Sequence, residues 1–221
     1  MTILALEFSS PQRSVAVLRA GDAVAATEVI ESGGNGTNAF AMIESALREA
    51  KLEREQIEVI VVGLGPGSYT GIRVALSMAQ GWQLARGVKL AGIDSAECLA
   101  EQARAEKIFG RVNVVIDAQR NEIYLAGYEI SAAVRREVEP LNILPAAEIK
   151  SRSEEGGIFI GPEVTRWFPG GRIMFPRAAM LAELAARRGD SAAGERQEPI
   201  YLRETNFVKS PPCRIFPATT Q

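Results

Sequence analysis

The sequence predicts an α/β protein built from two lobes. Three observations lead there. Each half of the chain opens on three short strands and continues into helical patterns. In each half the first strand ends on a carboxylate, Glu7 in one and Asp117 in the other. Between them the β-branched run 57–62 feeds a loop with glycines at 63, 65, 67 and 71, and that loop opens a helix. The expected order is βββαβα in each lobe. Residues 1–107 form the first lobe, 108–203 the second, and 204–221 a tail.

In the first half, Thr2 to Phe8 reads as a strand and Ser9-Ser10-Pro11 as a turn. Arg13 to Arg19 alternates as a second strand. A turn at Ala20-Gly21-Asp22 leads to a third, Ala23 to Ile30. Thr37 is the expected N-cap of a helix to about Ala50, with Phe40, Ile43 and Leu47 among its apolar residues. After the glycine loop, a second helix runs to Arg86. Lys89 to Asp94 is a strand, and Ser95 caps a third helix to about Lys107.

The second half repeats the opening with strands at 112–117, 122–129 and 134–141. Pro140 and Pro145 are expected to flank a loop. Residues 146–152 read as helical, 157–160 as a strand, 178–188 as an amphipathic helix, 190–198 as a loop and 199–203 as extended. The last stretch, with Pro211, Pro212 and Pro217, reads as a weakly ordered tail.

The second helix carries apolar groups around an unusually wide arc. Ile72, Leu76 and Ala79 share one face, and Val74, Met78, Trp82 and Ala85 a neighbouring one, covering about 200° together. One core contact needs less. The pattern predicts a helix that covers its own sheet with one face and a partner with the other.

The loop fits no familiar phosphate or nucleophile motif. No Gly-Lys pair exists for a Walker A loop, and Ser68 stands where a dinucleotide fingerprint needs its third glycine. Asp94, after the next strand, keeps a minor dinucleotide reading open. Pro66 breaks the nucleophile-elbow spacing before Ser68. A tight turn without ligand and a ligand- or partner-binding turn remain equal readings of the loop alone.

Composition excludes more than it proposes. The 221 residues contain no histidine, which removes histidine acid–base catalysis, Ser-His and Cys-His pairs and every zinc site with histidine ligands. Net charge is −2 with no basic tract, so direct nucleic-acid binding is disfavoured. Two cysteines, Cys98 and Cys213, suggest no disulfide framework and point to a reduced, cytoplasmic setting. No signal peptide or membrane span is read.

Two lobes of this order, each with a strand-end carboxylate, resemble the actin, sugar-kinase and Hsp70 fold, a duplicated ribonuclease H-like unit. In such proteins nucleotide lies between the lobes. The resemblance places a vestigial nucleotide site at Glu7, Ser9, Ser10 and Asp117, with Gln119 beside it. Four stretches narrow the likeness. Leu4 to Ser10 resembles the I-L-A-[IL]-D-T-[SA] opening of the TsaB (YeaZ) family. Gly65-Pro66-Gly67-Ser68-Tyr69-Thr70-Gly71-Ile72-Arg73 is similar to its G-P-G-S-[FY]-T-G-[LI]-R signature without a gap. Residues 116–124 resemble I-D-A-R-[RM]-x-E-[VI]-Y, and 199–203 P-x-Y-L-R. The resemblance spans residues 2 to about 203.

What it implies is a non-catalytic subunit. Such proteins bind TsaD, together with the ATPase TsaE, so that TsaD can transfer threonylcarbamoyl to adenosine 37 of ANN-decoding tRNAs. It implies no metal and no cofactor of its own, ATP or ADP at the boundary of the complex, tRNA contact only through the complex, and a homodimer when alone. The implied interface holds Phe40, Ile43, Leu47, Tyr69, Arg73, Val74, Met78 and Trp82. Gly65, Pro66, Gly67, Ser68, Thr70 and Gly71 form the structural motif. Two departures stand out: Glu7-Phe8 replaces the usual Asp-Thr, and residues 35–38 lack the histidine that many members carry. An ATP-dependent phosphotransferase using Asp117 or Glu7 is the alternative reading, and a peptidase a remote one.

Overall fold

Strand β1 (Thr2–Glu7) is buried along its whole length because it is apolar on both sides. Leu4 and Leu6 face one core, while Ile3 and Ala5 face another, the period-two alternation of a strand covered on both faces. The structure is a computed structural model and describes residues 1–19, 26–32, 38–148, 151–152, 156–189 and 197–202.

The first lobe continues through β2 (Gln12–Arg19), β3 (Thr27–Ser32), α1 (Ala39–Ala50), β4 (Val59–Gly63), α2 (Tyr69–Arg86), β5 (Lys89–Ile93) and α3 (Ser95–Ala105). The second comprises β6 (Gly110–Gln119), β7 (Glu122–Ile130), β8 (Arg135–Pro145), β9 (Ile158–Gly161), β10 (Arg172–Ile173) and α4 (Ala178–Arg188). The two sheets run β3-β2-β1-β4-β5 and β10-β9-β6-β7-β8. Counted from the first strand of each lobe, the orders are the same. In both, the first three strands pair antiparallel and the last two join in parallel. This is the two-lobed α/β architecture that the sequence predicts, with the same strand order in each sheet.

The lobes are tied by an exchange of helices. Ala178, Leu181, Ala182 and Ala185 of α4, from the second lobe, pack on Ile3, Ala5 and Val61 of the first sheet. Leu99, Ala100 and Ala103 of α3, from the first lobe, pack on Val112, Val114 and Ile116 of the second. The two helices meet between the sheets. Glu101 of α3 binds Arg104, Arg135 and Arg187 there.

Several local expectations are corrected. The N-cap of α1 is Asn38, whose side chain accepts from the Ala41 amide; Thr37 lies outside the described residues. Asp94, not Ser95, caps α3, accepting from the amides of Ala96 and Glu97. Pro140 lies inside β8 rather than beside a loop. An edge strand tolerates proline, and the pairing of β7 with β8 is irregular there. Of the helix expected at 146–152, residues 146–148 form a short 3₁₀ turn and 151–152 are helical, while 149–150 and 153–155 lie outside the described residues. The turn at 20–22, most of the loop at 190–198, Arg203 and the tail from 204 also lie outside the described residues.

Candidate functional site

The glycine loop is locked against the end of β1. Ser68 N–H donates to the Ser9 carbonyl at 2.6 Å, and Ser95 N–H donates to the Gly65 carbonyl at 2.7 Å. Ser68 Oγ accepts from Gly71 N–H and so starts α2 at Tyr69, earlier than the apolar pattern alone suggests. A Cβ on Gly67 would overlap the Ser9 carbonyl, and one on Gly71 the Phe8 carbonyl. Gly67 also has φ +145°. These glycines therefore allow two turns to interlock; Pro66 belongs to the same turn, and Thr70 lies in the first turn of α2.

Glu7 lies beneath this lock with no exposed surface. Its Oε1 accepts from Ser9 N–H at 2.7 Å and its Oε2 from Ser95 Oγ at 3.0 Å. Burial pushes its pKa up, against the lowering effect of those bonds. Burial likewise raises Asp94, the α3 cap, to about 6. Glu7 is not among the residues that line the nearby cleft.

That cleft, about 740 Å³, separates the lobes. Ser9, Ser10 and Arg13 line it from the first lobe, and Asp117, Gln119, Arg120 and Glu163 from the second. Asp117 Oδ1 accepts from Gln119 N–H at 2.7 Å, a strand-end turn cap, and Oδ2 pairs with Arg166 at 2.9 Å. Ser10 Oγ donates to the Gln12 carbonyl. Burial raises the Glu163 pKa, with the Asp117 charge adding to it, and Glu163 Oε2 is buried without a hydrogen-bond partner. Sequence reasoning missed Glu163, since it lies in an irregular segment with no pattern around it. Among the described residues no group of three or more potential metal ligands converges.

A second candidate surface is a groove on the outer face of the first sheet. Helix α1 packs over β2 and β3, while α2 packs mainly over β4 and β5. The space between them is lined by Phe40, Ile43, Ser77, Met78, Gly81, Trp82 and Ala85, with a volume of about 540 Å³. Phe40 is 70 % exposed, and Met78 and Trp82 are half-buried. Next to it, Tyr69, Arg73, Val74 and Phe40 line a shallower hollow. The ion pairs Arg54–Glu44 and Arg86–Glu55 border the groove. Their spacings in sequence gave no warning of either.

The eight expected interface residues divide. Phe40, Tyr69, Arg73, Val74, Met78 and Trp82 reach this surface. Ile43 and Leu47, only 2 % and 4 % exposed, belong to the core beneath α1. The helical period turns them, with Met42 and Ala46, onto the sheet; Ile43 still forms groove wall, and Leu47 does not.

Tyr69 connects the two regions because it lines both the cleft and the shallow hollow. Its hydroxyl accepts from Arg73 at 2.7 Å. The C-terminal strap crosses here: Ile200 N–H donates to the Leu64 carbonyl at 2.9 Å, and the Tyr201 ring lies 5.5 Å from that of Tyr69.

The family model for TsaD, tRNA N6-adenosine threonylcarbamoyltransferase, matches residues 36–194. The tRNA threonylcarbamoyladenosine biosynthesis protein TsaB of Bacillus subtilis is 26 % identical over 75 % of this chain and 72 % of its own length. Its namesake in Haemophilus influenzae is 29 % identical over 96 % of this chain and 98 % of its own. The chain belongs to this family, in its TsaB (YeaZ) branch. The solved structure of YeaZ from Pseudomonas aeruginosa agrees, with a TM-score of 0.74 and 25 % identity over 91 % of this chain and 99 % of that one. Among the described residues no helix is long and apolar enough to cross a membrane.

Proposed function

We propose that this chain acts in tRNA threonylcarbamoyladenosine synthesis as a non-catalytic subunit that docks a TsaD homologue. The observation that carries this reading is the groove between α1 and α2. Phe40 stands 70 % exposed beside half-buried Met78 and Trp82, with ion pairs on the rim. An apolar floor with a charged rim is the anatomy of a protein interface rather than of free surface. The relatives named for this pathway, and a family model shared with TsaD, say which partner to try.

In this reading a TsaE homologue joins the assembled pair, tRNA is met only through the complex, and the cytoplasm is the compartment. ATP or ADP belongs to the subunit boundary. Without the partner, the same face serves a homodimer. Calorimetric titration with the TsaD homologue tests it. Wild type should bind, and Met78→Asp with Trp82→Asp should not, while both fold alike; unchanged binding by the double variant would remove this surface.

A phosphotransferase reading draws on the cleft and Asp117. It is less well supported because both Glu7 oxygens are engaged inside the protein, out of line with the cleft.

A further inference from the structure

Gly81 lies well inside the 18-residue helix α2. Among the common residues only proline is a poorer choice for a helix interior. The glycines of the preceding loop repay that conformational freedom within the chain: Cβ atoms at 63, 67 and 71 would overlap Glu7, Ser9 and Phe8. Gly81 does not. A Cβ there would meet nothing within 4 Å. The chain's own packing therefore gives no reason for a glycine at this position.

What the position does face is the groove. Gly81 is exposed and lines it between Met78 and Trp82, opposite Phe40 and Ile43 of α1. A missing side chain leaves a notch in the wall of this groove, beside Met78 and Trp82. Such a notch lets a second helix come nearer than the roughly 8–10 Å usual between helix axes. Larger apolar groups on either side then close around that helix as its flanks. The occupant that fits is an α-helix with a small or flat apolar face at the crossing point.

We infer that Gly81 is the point of closest approach between α2 and a helix of the docked partner, and that its lack of a side chain is clearance for that helix. This rests on the docking reading above. The partner shares this chain's family model, so a helix from the same face of its own first sheet is the occupant to which the inference commits.

The test uses the full chain, the TsaD homologue from the same source, and three variants: Gly81→Ala, Gly81→Leu and Trp82→Asp. Thermal unfolding of the free chain and calorimetric titration with the partner are read for each. Gly81→Ala should raise the free chain's Tm by about 2–4 °C and weaken binding about tenfold. Gly81→Leu should leave Tm no lower than wild type and abolish binding. Wild-type affinity in Gly81→Leu, with binding lost in Trp82→Asp, would overturn the close approach and leave the groove as docking site. Wild-type affinity in Trp82→Asp would instead remove the docking reading, and this inference with it. A fall in Tm for Gly81→Ala would show that the glycine serves the chain itself. Loss of self-association in Gly81→Leu with unchanged partner affinity would assign the notch to a second copy. Either result contradicts the inference.

Discussion

Ser95 Oγ donates a hydrogen bond to the Glu7 carboxyl at 3.0 Å, joining the end of the first strand to the start of α3. Glu7 has no exposed surface, and burial raises its pKa. A protonated carboxyl satisfies the same neighbours: its carbonyl oxygen accepts from Ser9 N–H and its hydroxyl faces Ser95. Glutamine keeps the acceptor for Ser9 N–H, and its amide N–H donates to Ser95 Oγ in place of the bond that Ser95 gives the carboxylate. At about pH 8, Glu7→Gln should therefore unfold at or above the wild-type temperature, measured by thermal melting. Glu7→Ala should cost about 2–4 kcal/mol through the cavity and the unpaired Ser9 amide. A Glu7→Gln protein as unstable as Glu7→Ala would contradict the upward shift that burial gives Glu7.

Asp94 gives a second pH signature. Burial raises its pKa from 3.8 unfolded to about 6 folded. The folded state thus holds this proton more tightly, so the stabilisation is complete below pH 3.8 and is lost as pH rises through about 6. The amount at stake is about 3 kcal/mol. Asp94→Asn keeps a capping oxygen and removes the titration. Its unfolding free energy, measured by denaturant across that range, should depend less on pH than that of wild type. Parallel curves would contradict the assignment.

The glycine lock should be intolerant. Gly71→Ala pushes a methyl group into the Phe8 carbonyl, which is backbone and cannot rotate away. The expected loss is about 3 kcal/mol or more, read as a lower Tm or as failure to fold. A wild-type melting curve would show that the loop and the first turn separate easily.

Much of this fold can be read in the sequence, because its strands are short, apolar and separated by strong turn residues. Both meanders, the buried β4 and the helix after the glycine loop follow from period and composition alone. The helix exchange does not. Nothing in residues 95–105 says that they cover the second sheet, since an amphipathic face does not name its partner. The α3 cap is ambiguous in sequence for a similar reason: Asp94 and Ser95 are both good capping residues, and in the fold Ser95 Oγ is engaged by Glu7 while Asp94 accepts from the Ala96 amide. In α1 the wheel groups Phe40 with Leu47, but Phe40 sits in the first turn and faces the groove. The arc of α2 was the most informative pattern, since its second apolar face is the one left uncovered.

The exchanged helices are held by charge as well as by packing. Glu101 is 4 % exposed and receives Arg104, Arg135 and Arg187. Glu101→Ala takes one carboxylate from three guanidinium groups, while Arg135 keeps Glu97, Arg187 keeps Glu183 and Arg104 keeps the Ala132 carbonyl, so it should cost about 1–3 kcal/mol. Arg187→Ala removes a half-exposed partner and should cost about 1 kcal/mol or less. Denaturant unfolding of both variants checks the contrast, and equal small losses would mean that packing alone joins the lobes.

The most direct test of partner docking is light scattering after size exclusion, on the 23.8 kDa chain mixed with the TsaD homologue from the same source. The expected result is one peak whose mass is the sum of one copy of each. Two peaks, each with the mass of its protein alone, would contradict the docking of a TsaD-type partner on the α1–α2 groove.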